Sequence, residues 1–304
     1  QSSPPLIKNV RVKCMKTLYK QHKTLPEEYI IKKVIEFLKE DCSNQDITGQ
    51  ATMHQNNNII TSHIIAEEDL ILSGTPIITH MFSNDKIESH KVDGEHCCAG
   101  DIITTISGTA NSILSKERVA LNLIQRLTGI STLTHQYVST LNSTKIKILD
   151  TRKTTPGLRL FEKYAVTIGG GYNHRLDLLD GVMFKDNHLT LLNNLSDAIQ
   201  HIKKCHPNKK IQIEVDNFNQ LKVLLHIHKK NIDAILLDNM SPQETTQCTT
   251  LIRKQLPQCF VESSGGITLK NLLDYKNLDI DGISIGALTH QAQSKNIKME
   301  FVVL

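Results

Sequence analysis

Across 304 residues the sequence has no long apolar run, and its longest, such as Ala234 to Leu237, fall far short of the roughly 20 residues a membrane helix needs. It has no CxxC pair. Seven cysteines, an odd number without paired spacing, read as reduced thiols in a cytoplasmic protein rather than a disulfide framework. The adjacent His96-Cys97-Cys98 lacks a second Cys/His pair at zinc-site spacing, and neighbouring side chains on an extended segment point to opposite sides, so no metal site is read there. The P-loop pattern and the GxGxxG fingerprint are absent, which argues against a P-loop nucleotidase or a dinucleotide-dependent dehydrogenase. The first residues, Gln1 to Arg11, contain no apolar stretch of the kind a secretory signal needs. The missing initiator Met reads as a trimmed or tagged start, and Gln1 to Pro5 are given no structural meaning.

What is present is ordinary in bulk. Hydrophobic content is 39%, charged content 22% and net charge +4, as for a soluble globular chain of one large or two moderate domains. The basic residues Lys8, Arg11, Lys13, Lys16, Lys20 and Lys23 make residues 1–25 an N-terminal arm. With no RNA-binding aromatic motif or helix-turn-helix pattern, the arm reads as solvated or loosely ordered, with no nucleic-acid partner.

Residues 26–130 read as a small α+β domain. Ile30, Ile31, Val34, Ile35 and Leu38 recur at helical spacing over Pro26 to Asp41. Strand-like runs follow at Ile59 to Ala66, Leu70 to Leu72 and Ile102 to Ile106, separated by turn residues. Leu114 to Thr128 returns to helix, with Val119, Ala120, Leu123, Ile124 and Leu127 forming an apolar stripe. Arg118, Asn122, Gln125 and Arg126 share another face, either solvated or turned toward a ligand or partner. From Lys145 the rhythm changes. Apolar runs at Ile146 to Leu149, Gly181 to Phe184, Ile211 to Val215, Ala234 to Leu237, Cys259 to Val261 and Ile280 to Ile285 recur roughly every 25–35 residues, the period of βαβ units. Helix-compatible stretches such as Leu195 to Cys205 and Phe218 to His228 lie between them. Strands apolar on both faces need helices on both sides, which gives an α/β barrel or a doubly wound sheet.

The barrel is favoured because the runs end in reactive residues. These are Asp150-Thr151-Arg152-Lys153, Lys185-Asp186-Asn187-His188, Glu214, Asp238-Asn239, Ser263-Ser264-Gly265-Gly266 and Gly286. A barrel gathers such strand ends into one mouth. Arg152, Lys153, His174, Arg175 and Lys185, with Arg159 nearby in sequence, make that mouth cationic. Packed cations need anionic partners, so a polyanionic substrate is implied. Arginine forks suit carboxylates and phosphates. The glycine turns at Ser264-Gly265-Gly266 and Gly286-Ala287 let backbone N–H groups approach a phosphate. Glu214 and Asp238 on successive strand ends point either to shared Mg²⁺ or to support of a developing cation. His174 reads as a hydrogen-bond donor to an anion.

On these residues the chain resembles the quinolinate phosphoribosyltransferase family. The resemblance is carried by ERVALNLIQRLTGI (Glu117 to Ile130), DTRKTTPGLR (Asp150 to Arg159), EKYAVTIGGGYNHR (Glu162 to Arg175), KDNH (Lys185 to His188), IEVDN (Ile213 to Asn217), LLDN (Leu236 to Asn239), SSGGIT (Ser263 to Thr268) and GALTH (Gly286 to His290). Gln45 and Thr128 depart from the usual pattern without removing a charged residue. The resemblance implies an N-terminal α/β sandwich domain (26–130, completed by 291–304) and an incomplete, TIM-like parallel α/β barrel (131–290). It implies transfer of phosphoribose to quinolinate with decarboxylation, catalysed by Lys153, Lys185, Glu214 and Asp238. Arg118, Arg152, Lys153, His174, Arg175, Lys185, Ser264, Gly265, Gly286 and His290 would bind substrate, and Glu214 and Asp238 would hold Mg²⁺. A homodimer would bring Arg118 to the neighbouring site. A nicotinate phosphoribosyltransferase and a noncatalytic phosphoribosyl-binding regulator are the alternatives.

Overall fold

The computed structural model describes residues 17–53, 58–185, 188, 191, 194–227 and 231–302. Gln1 to Pro5, most of the basic arm (Lys8 to Lys16), and Asp186, Asn187 and His228 lie outside the described residues.

Helix α1 (Glu27–Glu40) buries Ile30 and Val34, with Glu27 and Glu28 in its first turn and Lys39 in its last, the charge order that suits the helix dipole. After the short α2 (Ile47–Met53), strand β1 (Ile59–Ala66) alternates in burial along its inner half, as a strand with one face on a core should. Then come β2 (Leu70–Ile71), α3 (Thr75–Met81), β3 (Lys86–Ser89), β4 (His96–Cys97) and β5 (Ile102–Thr109). Strands β1, β5 and β3 form an antiparallel sheet, and β12 (Ile297–Phe301) pairs antiparallel with β1 at its edge, placing Ala66 opposite Ile297.

The helix expected from Leu114 to Thr128 is much longer. Helix α4 runs Ala110–Leu141, starting where the Thr109 side chain accepts the Ser112 N–H and ending at Asn142 in a left-handed conformation. Beyond Thr128 small residues such as Gly129, Ser131 and Thr134 replace large apolar ones on its buried face. The hydroxyls of Ser131 and Thr134 bond back to the helix's own carbonyls, so the apolar stripe fades while the helix continues. Gly129 has the backbone of Gln293 so close that a Cβ would lie 2.1 Å from its carbonyl oxygen. Val119, Ala120, Leu123, Ile124 and Leu127 are all buried, each large side chain contributing about 1.5–3 kcal/mol as an upper figure.

Arg118 and Asn122 on the polar face of α4 are exposed, whereas Gln125 and Arg126 are occupied by the chain itself. Gln125 Nε2 donates to the Ile297 carbonyl at 2.7 Å, and Arg126 donates to the carbonyls of Thr289 and Ala292. These two residues dock the C-terminal segment.

The second half builds a parallel sheet with strands β6 (Lys147–Leu149), β7 (Val182–Phe184), β8 (Ile211–Val215), β9 (Ala234–Asp238), β10 (Phe260–Ser264) and β11 (Gly282–Ser284). Its spatial order is β6-β11-β10-β9-β8-β7. The last strand therefore returns to the first, as in a barrel. Every residue of β8 is buried, unlike β1, because helices cover the outer face and the barrel interior takes the other. Helices α5 (Arg159–Ile168), α6 (Leu195–Cys205), α7 (Phe218–Ile227), α8 (Pro242–Gln255) and α9 (Ala287–His290) fall among these strands. Tyr172 bridges in parallel to Leu149. That leaves one seam in the ring, between residues 172–174 and β7.

The N-terminal segment fills that seam, which corrects the expectation of a loose arm for its described part. Tyr19 is 7% exposed and His22 9%, although Lys20 and Lys23 face solvent. The Gln21 side chain exchanges two hydrogen bonds with the Asn173 backbone, and His22 N–H donates to Asn173 Oδ1 at 2.7 Å. A charge count recognises the lysines but not the buried Tyr and His between them. No helix among the described residues is long and apolar enough to cross a membrane.

Candidate active site

The carboxyl ends of the parallel strands surround a cleft of about 610 Å³. Arg152, Lys153, His174, Arg175, Lys185, Glu214, Asp238, Ser264, Gly265, Gly286 and His290 all line it. Arg118 does not. It is exposed on α4, outside this cleft. Arg159 is also turned away, its guanidinium bonded to Thr154 Oγ1 and the Leu176 carbonyl.

Two ion pairs, each with a fully buried acid, hold the walls. Lys163 and Asp150 are both fully buried and paired, and Asp150 also accepts from the His174 N–H at 2.8 Å and Asn173 Nδ2 at 2.7 Å. This staple joins the end of β6, from which Arg152 and Lys153 project, to the segment bearing His174 and Arg175. Glu162, also fully buried, accepts from Arg126 and from both the backbone N–H and the hydroxyl of Thr155. It anchors the other end of the same loop.

The cations in the cleft are treated differently. Among the described residues Arg152, Lys153 and Arg175 have no carboxylate within ion-pair distance, and Arg152 Nε is buried without a partner. Burial, and then the neighbouring Arg152, press the Arg175 guanidinium below its ordinary pKa. A polyanion entering the cleft would relieve both effects. Lys185 is already paired, with Nζ 2.8 Å from Glu214 Oε2. Burial raises the Glu214 pKa, and Lys185 opposes that rise without cancelling it.

Carboxylate oxygens of Glu214, Asp216 and Asp238 lie within 4.8 Å of one another. Asp216 is an addition to the site expected from the sequence, where it appears only within the stretch Ile213 to Asn217. Glu262 is a second addition. It is fully buried in the middle of β10 and lines the cleft floor. An acid inside a buried strand is itself a signal of function or of a hidden partner.

Just after Ser264, the register partner of Asp238 on the neighbouring strand, Gly265 has φ +85°, and a Cβ there would lie 2.2 Å from Asn239 Oδ1. Conformation and space both demand glycine. Thr151, Asn239 and Thr268 also line the cleft. The run Gly282-Ile283-Ser284-Ile285-Gly286 has the spacing of a nucleophile elbow. Ser284, however, lies within β11 and is 4% exposed, not raised on a strand-to-helix turn. The sulfur pair Cys97 and Cys98 sits in the first half, Cys97 buried and Cys98 exposed, far in sequence from every cleft residue.

The models of the quinolinate phosphoribosyl transferase N-terminal and C-terminal domains match residues 46–128 and 130–300. The chain belongs to the quinolinate phosphoribosyl transferase family. It is 38% identical to a probable nicotinate-nucleotide pyrophosphorylase [carboxylating] of Bacillus subtilis, over 87% of this chain and 90% of that one. The solved nicotinate-nucleotide pyrophosphorylase from Ehrlichia chaffeensis superposes with a TM-score of 0.82 at 36% identity, covering 89% of this chain and 98% of that chain. NadC from Streptococcus pyogenes superposes with a TM-score of 0.83 at 34% identity, covering 92% and 99%. Family members thus share the architecture expected from the sequence, a sandwich domain with an incomplete parallel α/β barrel.

Proposed function

We propose that the cleft joins quinolinate to phosphoribosyl pyrophosphate and decarboxylates the product, giving nicotinate mononucleotide, CO₂ and pyrophosphate for NAD biosynthesis. The observation that carries this reading is the set of cations without a carboxylate partner, Arg152, Lys153 and Arg175, lining one cleft with the acids Glu214 and Asp238. Family membership supports it.

Quinolinate carries two adjacent carboxylates on a pyridine ring. Arg152 and Arg175 offer planar donor forks matched to them, with His174 and Lys185 beside them. Lys153 stands next to Gly286 and His290, where a phosphate would meet one cation and backbone N–H groups. Glu214, Asp216 and Asp238 present the hard oxygen ligands suited to Mg²⁺. When bound there, Mg²⁺ would neutralise charge on the departing pyrophosphate.

As the glycosidic bond to pyrophosphate breaks, the ribosyl carbon gains cationic character. The Glu214 and Asp238 carboxylates stabilise it through their field. The ring nitrogen then supplies the electron pair for the new C–N bond. Once it is quaternised, its positive charge stabilises the electron pair left on the adjacent ring carbon when that carbon's carboxylate leaves as CO₂, and the carbon then takes up a proton from water. The protein's contribution is to position two anions and hold the charge. We further infer a cytoplasmic homodimer in which Arg118 of each protomer completes the other's cleft. The exposure of Arg118 on α4 supports that placement.

Purified protein given quinolinate, phosphoribosyl pyrophosphate and Mg²⁺ should release nicotinate mononucleotide, CO₂ and pyrophosphate in equal amounts, followed by chromatography and CO₂ capture. Exclusive turnover of nicotinate would overturn the choice of substrate. Tight binding without either product would make the chain a binding protein instead.

A further inference from the structure

Two cavities meet at one partition. His174 and Glu262 line the large cleft on one side. On the other side they line a nearly filled space with Thr17, Leu18, Tyr19 and Gln21 of the N-terminal segment. Leu18 packs toward the cluster of Leu149, Ala234 and Phe260. The Tyr19 ring lies against His174, with centroids 4.8 Å apart and planes tilted by 34°. It also fills the seam beside Gly181, where a Cβ would come within 2.5 Å of Tyr19 Cε1. That close approach is why position 181 has no side chain.

The hydrogen bonds through this partition have one consistent direction. Tyr19 OH donates to Gln212 Oε1 at 3.0 Å, and Gln212 Nε2 donates to Glu262 Oε2 at 2.8 Å. Burial, and then the charge of Glu262, raise the Tyr19 phenol pKa, so it stays protonated and remains a donor. His174 Nδ1 accepts the backbone N–H of Arg175 at 2.8 Å. The proton of a neutral ring is therefore on Nε2, which is buried and faces Glu262 Oε2 at 3.5 Å. Both ring nitrogens of His174 are turned to the protein. Arg175 in turn spans the seam, its Nη1 donating to the Gly181 carbonyl at 2.9 Å.

We propose that Tyr19 is a positioning residue for the carboxylate-binding end of the cleft, sealing the barrel seam and fixing from beneath the His174–Arg175 segment that receives quinolinate. This rests on the reading of the cleft as the quinolinate site. Without the ring, His174 loses its floor, and Arg175 loses the neighbour that holds its backbone. Lys153, Gly265 and Gly286 of the phosphate end line the large cleft but not the space that Tyr19 fills.

Steady-state kinetics of Tyr19→Leu should show quinolinate KM raised about tenfold, with the KM for phosphoribosyl pyrophosphate within about twofold of wild type. Tyr19→Phe, which keeps the ring, should restore quinolinate KM to within about threefold. A variant that merely folds poorly would lose active enzyme and lower apparent kcat without separating the two KM values. Should Tyr19→Leu fail to fold, Tyr19→Phe and a measurement on the wild type still decide. In the wild type, ring-proton NOEs should join Tyr19 to His174. Absence of those NOEs would overturn the proposal, as would Tyr19→Leu with unchanged quinolinate KM or with both KM values raised together. If the wild type turns over no quinolinate, the reading of the cleft fails, while the NOE still reports whether Tyr19 holds His174.

Discussion

Lys163 and Arg126 on one side, and Arg152, Lys153 and Arg175 on the other, use the same chemistry to opposite ends. Lys163 is fully buried and is answered by Asp150 and the His174 carbonyl. Arg126 is answered by Glu162 and two carbonyls. The cleft cations a few residues away have no carboxylate of their own among the described residues. Electrostatics inside a protein favours the first arrangement. The second persists because the paired cations hold the walls on which the unpaired ones sit. A charge that is satisfied builds the site, and a charge left waiting binds substrate.

The largest effect should come from breaking the paired side. Lys163→Met leaves Asp150 buried and uncompensated, and chemical denaturation should show a loss of about 3–5 kcal/mol. Weak loss would mean that Asp150 is protonated or hydrated and that the staple is not ionic. Removing an unpaired cation should do the reverse. Arg152→Ala should raise quinolinate KM about 30-fold, roughly 2 kcal/mol, while the midpoint of unfolding barely moves. A large stability loss there would erase the distinction. The smallest effect concerns Glu214, whose folded pKa lies above its ordinary value because of burial. For a raised carboxylate, the favourable contribution is present below the unfolded pKa and lost as pH rises through the folded one. At neutral pH the ionised group therefore opposes folding. Glu214→Gln should slow turnover sharply yet slightly raise the melting temperature at pH 7, with the gain shrinking as pH falls toward the carboxylate range. A lowered melting temperature would show that the Lys185 pair outweighs burial.

The sequence showed the barrel well because its signals are periodic. Leu195 to Cys205 and Ile211 to Val215 coincide with α6 and β8 as observed. Strand ends rich in Arg, Lys and acids identified the mouth, since a barrel leaves its loops little choice of where to meet. Four features escaped, each for a physical reason. Helix α5 went unread because its charged residues Glu162 and Lys163 are buried, and a hydropathy pattern counts buried ions as surface. Glu262 was hidden by the same rule, its strand seeming to end at Val261. Tyr19 lies amid lysines in a segment that forms no helix or strand, so only the three-dimensional seam reveals its place. Asp216 carries no signal of its own within the stretch Ile213 to Asn217, because its proximity to Glu214 and Asp238 is a tertiary fact.

The pairing of β12 with β1 orders events during synthesis. Strand β1 is complete after residue 66, but its outer edge finds a partner only when residues 297–301 emerge. Until then the early sheet exposes unsatisfied backbone groups to any passing strand. The first sheet therefore gains its last strand only from the end of the chain, and removing residues 297–301 would unmask the same edge in the finished molecule.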